Sequence, residues 1–431
     1  MRVGRSYASA RLLATLLAVG AMLGATPAAS TQASSVGPAD EQPTQSDDQP
    51  FQLIRASSEL QEQIISGRRD ALVRQSEAIR DISRKLAGFG LHVWKDSRNR
   101  VGLIKFVLNG GDLDVFQTVL SKNMFPETEK ALAQGVLQYA LGRKVAAAEI
   151  LNTLDARAFG PSLAGHIALI KAVLARDADA KAARHYSNEA RLLSPGTAIE
   201  EAALRLAIDL AIAQGDASGL DLNALRYAYR FPQSLYRASI DLRIARVLGA
   251  RNPARQADDH ALAITLAAQL TQAERLAFYL ELAQAALRSG QVATAKAMAR
   301  LGSQSSLHSA TVGPALRAIE GAATIFGPHR ESGLQLLTQA ETADAPSAVR
   351  KLIAEARKLA VMIEQPPPPI QRGMKLDTLP ASSTFIADLG KNTANAGAAR
   401  AGTKDEVVLR TSQGATQKLN DVDALLEKVD Q

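Results

Sequence analysis

The sequence predicts an all-α chain built as a row of helix hairpins, and three observations carry that expectation. Chain breakers recur at a near-regular interval: Gly142, Asp177, Gly215, Gly249, Gly290 and Gly327 follow one another at spacings of 34 to 41 residues. Between them apolar residues repeat every three to four positions, the period of one helix face. Aromatics make up only 4% of the chain, so leucine and alanine must supply the packing, which suits close-packed helices better than a sheet sandwich. Paired helices at this period make an α-solenoid of tetratricopeptide-like hairpins, each covering the apolar side of the next.

The stretch 271–305 shows the logic. Leu276, Tyr279, Leu280, Ala283 and Leu287 fall at i, i+3, i+4, i+7 and i+11, one face of a helix. Ser289-Gly290 supplies a left-handed stop that glycine takes at little cost. Val292, Ala295 and Ala299 then line a second helix, with alanines small enough for close backbone approach.

The chain begins with MRVGRSYASAR, a basic segment, followed by the apolar run Leu12–Leu23 and the small residues ATPAAS. That order reads as a secretory signal over residues 1–30, cleaved near Ala28 or Ser30. The run is shorter than the roughly 20 apolar residues a membrane-spanning helix needs. With cysteine absent there is no lipid-attachment site, no disulfide and no thiolate metal site. The expected destination is the periplasm, with the cleaved chain not spanning the membrane.

Residues 31–50 are Ser, Gln, Asp and Pro with little to bury, a disordered spacer. A helical-repeat domain is expected over 51–364. Phe51, Ile54, Leu60 and Ile64 open the first helix, which ends at Gly67, and 70–86 forms its partner. Leu91–Trp94 is apolar and ambiguous between strand and helix. Val101–Leu108 is helical and stops at Asn109-Gly110-Gly111, with Asp112 as a cap for the next helix. Beyond it, hairpin ends are marked by Gly160-Pro161, Pro195-Gly196, Phe231-Pro232, Thr271 and 303–309, and 347–364 is the last helix of the domain. Ala183, Ala190 and Pro195 keep tetratricopeptide spacing, while the tryptophan of that motif is absent from every repeat. Residues 365–420 are a Pro/Gly/Ala-rich linker, opened by the polyproline run Pro366–Pro369. Residues 421–431 place Val422, Leu425, Leu426 and Val429 on one face of a short amphipathic helix.

Charge narrows the partners. Fifty Lys+Arg against 43 Asp+Glu give +7, and Arg2, Arg5 and Arg11 of the leader account for three of those charges. A surplus of four over some 400 residues is not a nucleic-acid footprint, though it favours an acidic partner surface modestly. No catalytic, metal or cofactor-binding constellation stands out. Gly88-Phe-Gly90 lacks the context of a phosphate loop, and the six histidines are scattered, with only His166 and His185 on the two helices of one hairpin. Glu200-Glu201 and Asp258-Asp259 are adjacent acids that point apart on a helix and read as solvated or first-turn charges.

The residues that stand out as partner contacts are Arg226, Tyr229, Arg230 and Tyr236, in a stretch holding three of the seven tyrosines. Tyr and Arg are the types that dominate interface hot spots. Leu425 and Leu426 of the terminal helix are the other contact candidates. A bland reading of the first group has Tyr229 and Phe231 filling a groove between helix pairs. Trp94, the single tryptophan, reads as core.

Two stretches, PFQLIRASSELQEQIISGRRDA from Pro50 and WKDSRNRVGLIKFVLNGGD from Trp94, resemble the MotC family of rhizobial periplasmic motility and chemotaxis proteins. The resemblance implies a non-enzymatic periplasmic protein required for flagellar rotation, acting on the periplasmic part of the stator protein MotB. Two other functions share parts of the pattern: a general periplasmic helical-repeat assembly factor, and a superhelical peptidoglycan-cleaving enzyme. The second would need a compact catalytic domain that the residues after 364 cannot build.

Overall fold

The computed structural model describes residues 49–305, 312–342 and 345–365. Among them are seventeen α-helices and no strand. The chain divides into two compact units between Thr294 and Ala295, within the span expected as one repeat domain. The leader with Ala28 and Ser30, the spacer to residue 48, the linker, and Leu425 and Leu426 lie outside the described residues.

The first unit opens with α1 (Pro50–Ile65) and α2 (Arg69–Ala87). Gln49 and Gln52 form a reciprocal cap at the start of α1, and Pro50 takes the first helical position, where its missing N–H is not needed. Leu91–Lys95, the ambiguous stretch, is a 3₁₀ turn that buries Trp94 to 1% exposure. Then come α3 (Ser97–Leu108), α4 (Asp114–Ser121), α5 (Glu127–Ala140), α6 (Lys144–Leu151), α7 (Pro161–Ala175), α8 (Ala180–Leu193), α9 (Ala198–Gln214) and α10 (Ala217–Arg230). Asp112 accepts from the Asp114 amide as expected. The helices α11 (Arg237–Ala250), α12 (Gln256–Ala267), α13 (Gln272–Arg288) and α14 (Val292–Ser305) follow, the unit boundary falling inside α14.

Sequence composition sorts these helices into two layers. In α7, ten residues between Leu163 and Val173 are buried, and α9 is buried almost continuously from Ala198 to Ala211. A helix that is apolar on all sides belongs in an interior. By contrast α8 and α10 bury only Ala183, Ser187 and Ala190, and Leu220, Ala224, Tyr227 and Ala228, and turn polar faces outward.

The row of pairs also closes on itself. Helix α1 packs against α3 and α9, α3 reaches α7, and α7 reaches α9. In an open solenoid each repeat touches only its neighbours. Here the first hairpin meets a segment more than 130 residues further along: the Ala198 amide donates to Glu62 Oε1 at 3.1 Å, and the Leu235 amide to the Ile64 carbonyl at 3.3 Å. Leu60, Ile64, Ala71 and Tyr236 form one buried cluster at that seam, with Leu72, Ala78 and Leu235 against it.

Most expected breakers are turns with left-handed glycine: Gly142, Gly160, Gly196, Gly215 and Gly290 all have positive φ. Asp177 sits in the turn between α7 and α8. Gly249 differs. It lies inside α11, where a Cβ would collide with the Leu282 carbonyl and the Ala286 amide of α13. Close approach of two helices, not a hairpin turn, is what requires glycine there. Accordingly α11 packs chiefly on α13 rather than on α12.

The second unit holds the rest of α14 with α15 (Val312–Thr324), α16 (Arg330–Ala340) and α17 (Ser347–Glu364). Helices α15 and α16 form a hairpin through the turn containing Gly327, and α17 packs on both.

Candidate functional site

The site grows from the start of α9. Gly196 turns the chain, the Thr197 side chain caps the helix by accepting from the Ile199 amide, and Glu200 and Glu201 occupy the first turn, where the helix dipole favours acids. Both acids are buried, at 3% and 0% exposure, so of the two expected readings the first-turn charges hold and the solvated pair does not. Glu200 accepts from the Gly196 amide and from Arg230 Nη2, each at 2.6 Å. Glu201 accepts from Arg205 Nε at 2.8 Å, the Tyr227 hydroxyl at 2.7 Å and Ser234 Oγ at 2.9 Å. A buried carboxylate persists only when its oxygens are filled in this way.

The loop between α10 and α11 sits on this carboxylate. The Arg205 guanidinium lies 4.2 Å from the centre of the Tyr236 ring. Arg237, 2% exposed, donates to Asp241 Oδ2 at 2.9 Å and to the Ala228 carbonyl at 3.0 Å. Burial lifts the Asp241 carboxyl to about 6, against the pull of Arg237. Burial likewise raises the Tyr236 hydroxyl to about 12, with Arg205 opposing. The result is a fixed loop over residues 231–237.

What this scaffold presents outward is basic and apolar. Tyr229 is 61% exposed. Arg226 is half-buried and Arg230 exposed, both in the last turns of α10. Arg191, in the last turn of α8, joins them: burial, then the nearby Arg226 and Arg230 charges, push its guanidinium below the usual range, with Glu200 opposing. Arg230 thus pairs with Glu200, and Arg191 feels Glu200, Arg226 and Arg230, with the cations at two helix C-termini, which favour them.

Of the sequence candidates, Arg226, Tyr229 and Arg230 share this face. Tyr236 does not, being 3% exposed beneath Arg205, so its part is to hold the loop. Phe231 is core at 5% exposure and fills the groove as the bland reading had it, but Tyr229 does not. The sequence reading missed Arg191. A basic residue in the last turn of both α8 and α10, the two helices flanking α9, was the available signal. It also missed Glu201, whose i+4 pairing with Arg205 was visible in the sequence.

The two histidines of the α7/α8 hairpin do not form a site. His166 seals its Nδ1 from solvent without a partner, and burial, with Lys105 adding, pushes it down to about 3. His185 is exposed against the Tyr186 ring. Among the described residues no group of three or more acidic, histidine or cysteine side chains is placed to hold a metal ion, and no helix is long and apolar enough to cross a membrane.

The model of the family described as "Chemotaxis protein MotC" matches residues 3–431. A relative of that name from Rhizobium meliloti (strain 1021) is 25% identical over 183 residues. That alignment covers 42% of this chain and 42% of the relative, less than half of its length. No solved structure matches. A match running from residue 3 to residue 431, over the helical pairs expected from the same sequence, makes this chain a member of the MotC family of chemotaxis and motility-related proteins.

Proposed function

We propose that the protein works in the periplasm as a non-catalytic holder of the periplasmic part of the flagellar stator protein MotB, keeping the stator engaged and the flagellum turning. Family membership supports the motility role. The basic, then apolar, then small-residue order of residues 1–30 supports export. The observation that carries the binding role is the rigidly backed face of Arg191, Arg226, Tyr229 and Arg230, whose residue types suit an acidic partner surface with an apolar element. Binding the engaged state more tightly than the free one shifts the stator population by that difference in affinity alone.

Two measurements test the proposal. Mature protein used as bait in an envelope extract recovers MotB, and Arg226→Glu combined with Tyr229→Ala reduces recovery while the circular dichroism spectrum is unchanged. A gene deletion leaves filaments assembled and not rotating. Cells without filaments would instead indicate an assembly role, and bait that recovers no stator component would remove the proposed partner.

A further inference from the structure

Helix α17 carries two apolar stripes, and the described residues of the second unit fully bury only one. Val349, Ile353, Ala356 and Ala360 are buried, and the helix packs on α15 and α16. Leu352, Leu359, Met362 and Ile363 fall at i, i+7, i+10 and i+11 on another line. Along it Leu352 is half-buried, Leu359 is 37% exposed, Met362 64% and Ile363 43%. The end of a helical stack ordinarily turns a polar face to solvent. This one does not.

We propose that residues 421–431 of the same chain fold back as a helix across that second stripe and cap the unit. Val422, Leu425, Leu426 and Val429 make an apolar line of matching period. The charges match as well. Asp421, Asp423, Glu427 and Asp430 outnumber Lys428 in the segment, whereas α17 carries Arg350, Lys351, Arg357 and Lys358 against Glu355 and Glu364. Arg357, Lys358 and Glu364 already have partners in Glu341, Glu355 and Arg330. Lys351, which flanks the stripe, has no ion-pair partner among the described residues and is the cation open to the segment's acids; Arg350 lies on the far side of the helix.

Reach is not limiting. The stretch between Glu364 and Asp421 is about 55 residues long, and a random coil of that length has a root-mean-square span of roughly 40 Å, longer than the roughly 27 Å of an 18-residue helix. Such a tether holds the segment at an effective concentration near the millimolar range. An 11-residue helix is marginal alone in water, so folding and docking are one event. Cis docking is favoured over a second copy because the tether supplies a concentration that free chains do not reach.

The chain has no cysteine, so an introduced pair reports without background. Full-length mature Met362→Cys/Leu425→Cys is oxidised in dilute solution and run on a non-reducing gel. The expected product is a monomer with an internal disulfide, formed about tenfold faster than when Val422→Asp and Leu426→Asp are added. Deleting 421–431 increases binding of an apolar dye several-fold. Disulfide-linked dimers as the main product would assign the face to a second copy. Crosslinking at the same rate with and without the added aspartates would mean no docking. Either result overturns the proposal.

Discussion

The two ends of the described helices handle the same problem in opposite ways. At the N-terminal end the hairpin of α1 and α2 has an apolar edge, and a loop far along the chain covers it: Tyr236 and Leu235 pack on Leu60, Ile64 and Ala71. At the C-terminal end Leu359, Met362 and Ile363 of the second stripe of α17 stay exposed among the described residues. The contrast shows that a helix pair does not stabilise its own edge. A lid must come from elsewhere, and the first unit makes its lid from a loop that is itself held by a buried carboxylate. Stability there depends on buried polar groups as well as on apolar area.

The strongest way to break the covered end is to remove the carboxylate. Glu201→Ala strands the Arg205 guanidinium, the Tyr227 hydroxyl and Ser234 Oγ in the interior, and a cost of about 3–5 kcal/mol is expected in urea unfolding. Glu201→Gln, which keeps acceptor geometry for part of the set, costs less. Next comes the seam itself. Gly67 has φ of +87°, and a Cβ there would lie 2.7 Å from the Gln233 carbonyl oxygen. Gly67→Ala is therefore expected to cost about 1–3 kcal/mol and to speed hydrogen exchange at the Leu235 amide, which bonds to Ile64.

A change that is small per pH unit tests the interior by acid. His166 is held near 3 in the folded chain against about 6.5 when unfolded. The unfolded state binds the extra proton, so this stability is complete above pH 6.5 and is lost as pH falls toward 3. Asp241 acts in the opposite sense: with its folded value near 6, it costs stability above that pH and returns it as pH falls toward 3.8. His166→Gln should therefore lose stability more slowly than the native chain below pH 6.5, by at most about 1.4 kcal/mol per pH unit, read from urea titrations at several pH values. The smallest effect sharpens the comparison from outside. Tyr229→Ala and Arg226→Glu touch the face and not its support, so each should shift stability by no more than about 0.5 kcal/mol while weakening partner capture.

Much of this was legible along the chain. The helices, the capping box of Thr271 and Glu274, the buried Trp94 and most glycine turns follow from local rules, because a helix face and a left-handed stop involve residues within one or two turns of each other. Gly249 was misread because a glycine that permits a turn and a glycine that permits close packing look the same in sequence. Glu200 and Glu201 are the first-turn charges the sequence offered as one reading, but their burial escaped it for a related reason. Adjacent acids point apart in isolation, and only the fold sends one to Arg230 and the other to Tyr227 and Ser234.

Periodicity and composition, then, settle what each segment is: helix, turn or polar stretch, and which side of each helix must be covered. They do not settle what does the covering. That α1 meets α9 and the 231–237 loop, that Tyr236 turns inward while Tyr229 stays out, and that Arg191 joins Arg226 and Arg230 were decided by tertiary packing. Apolar burial is non-directional, so a sequence can demand it without naming the partner; direction comes from the few buried charges that tolerate only one arrangement.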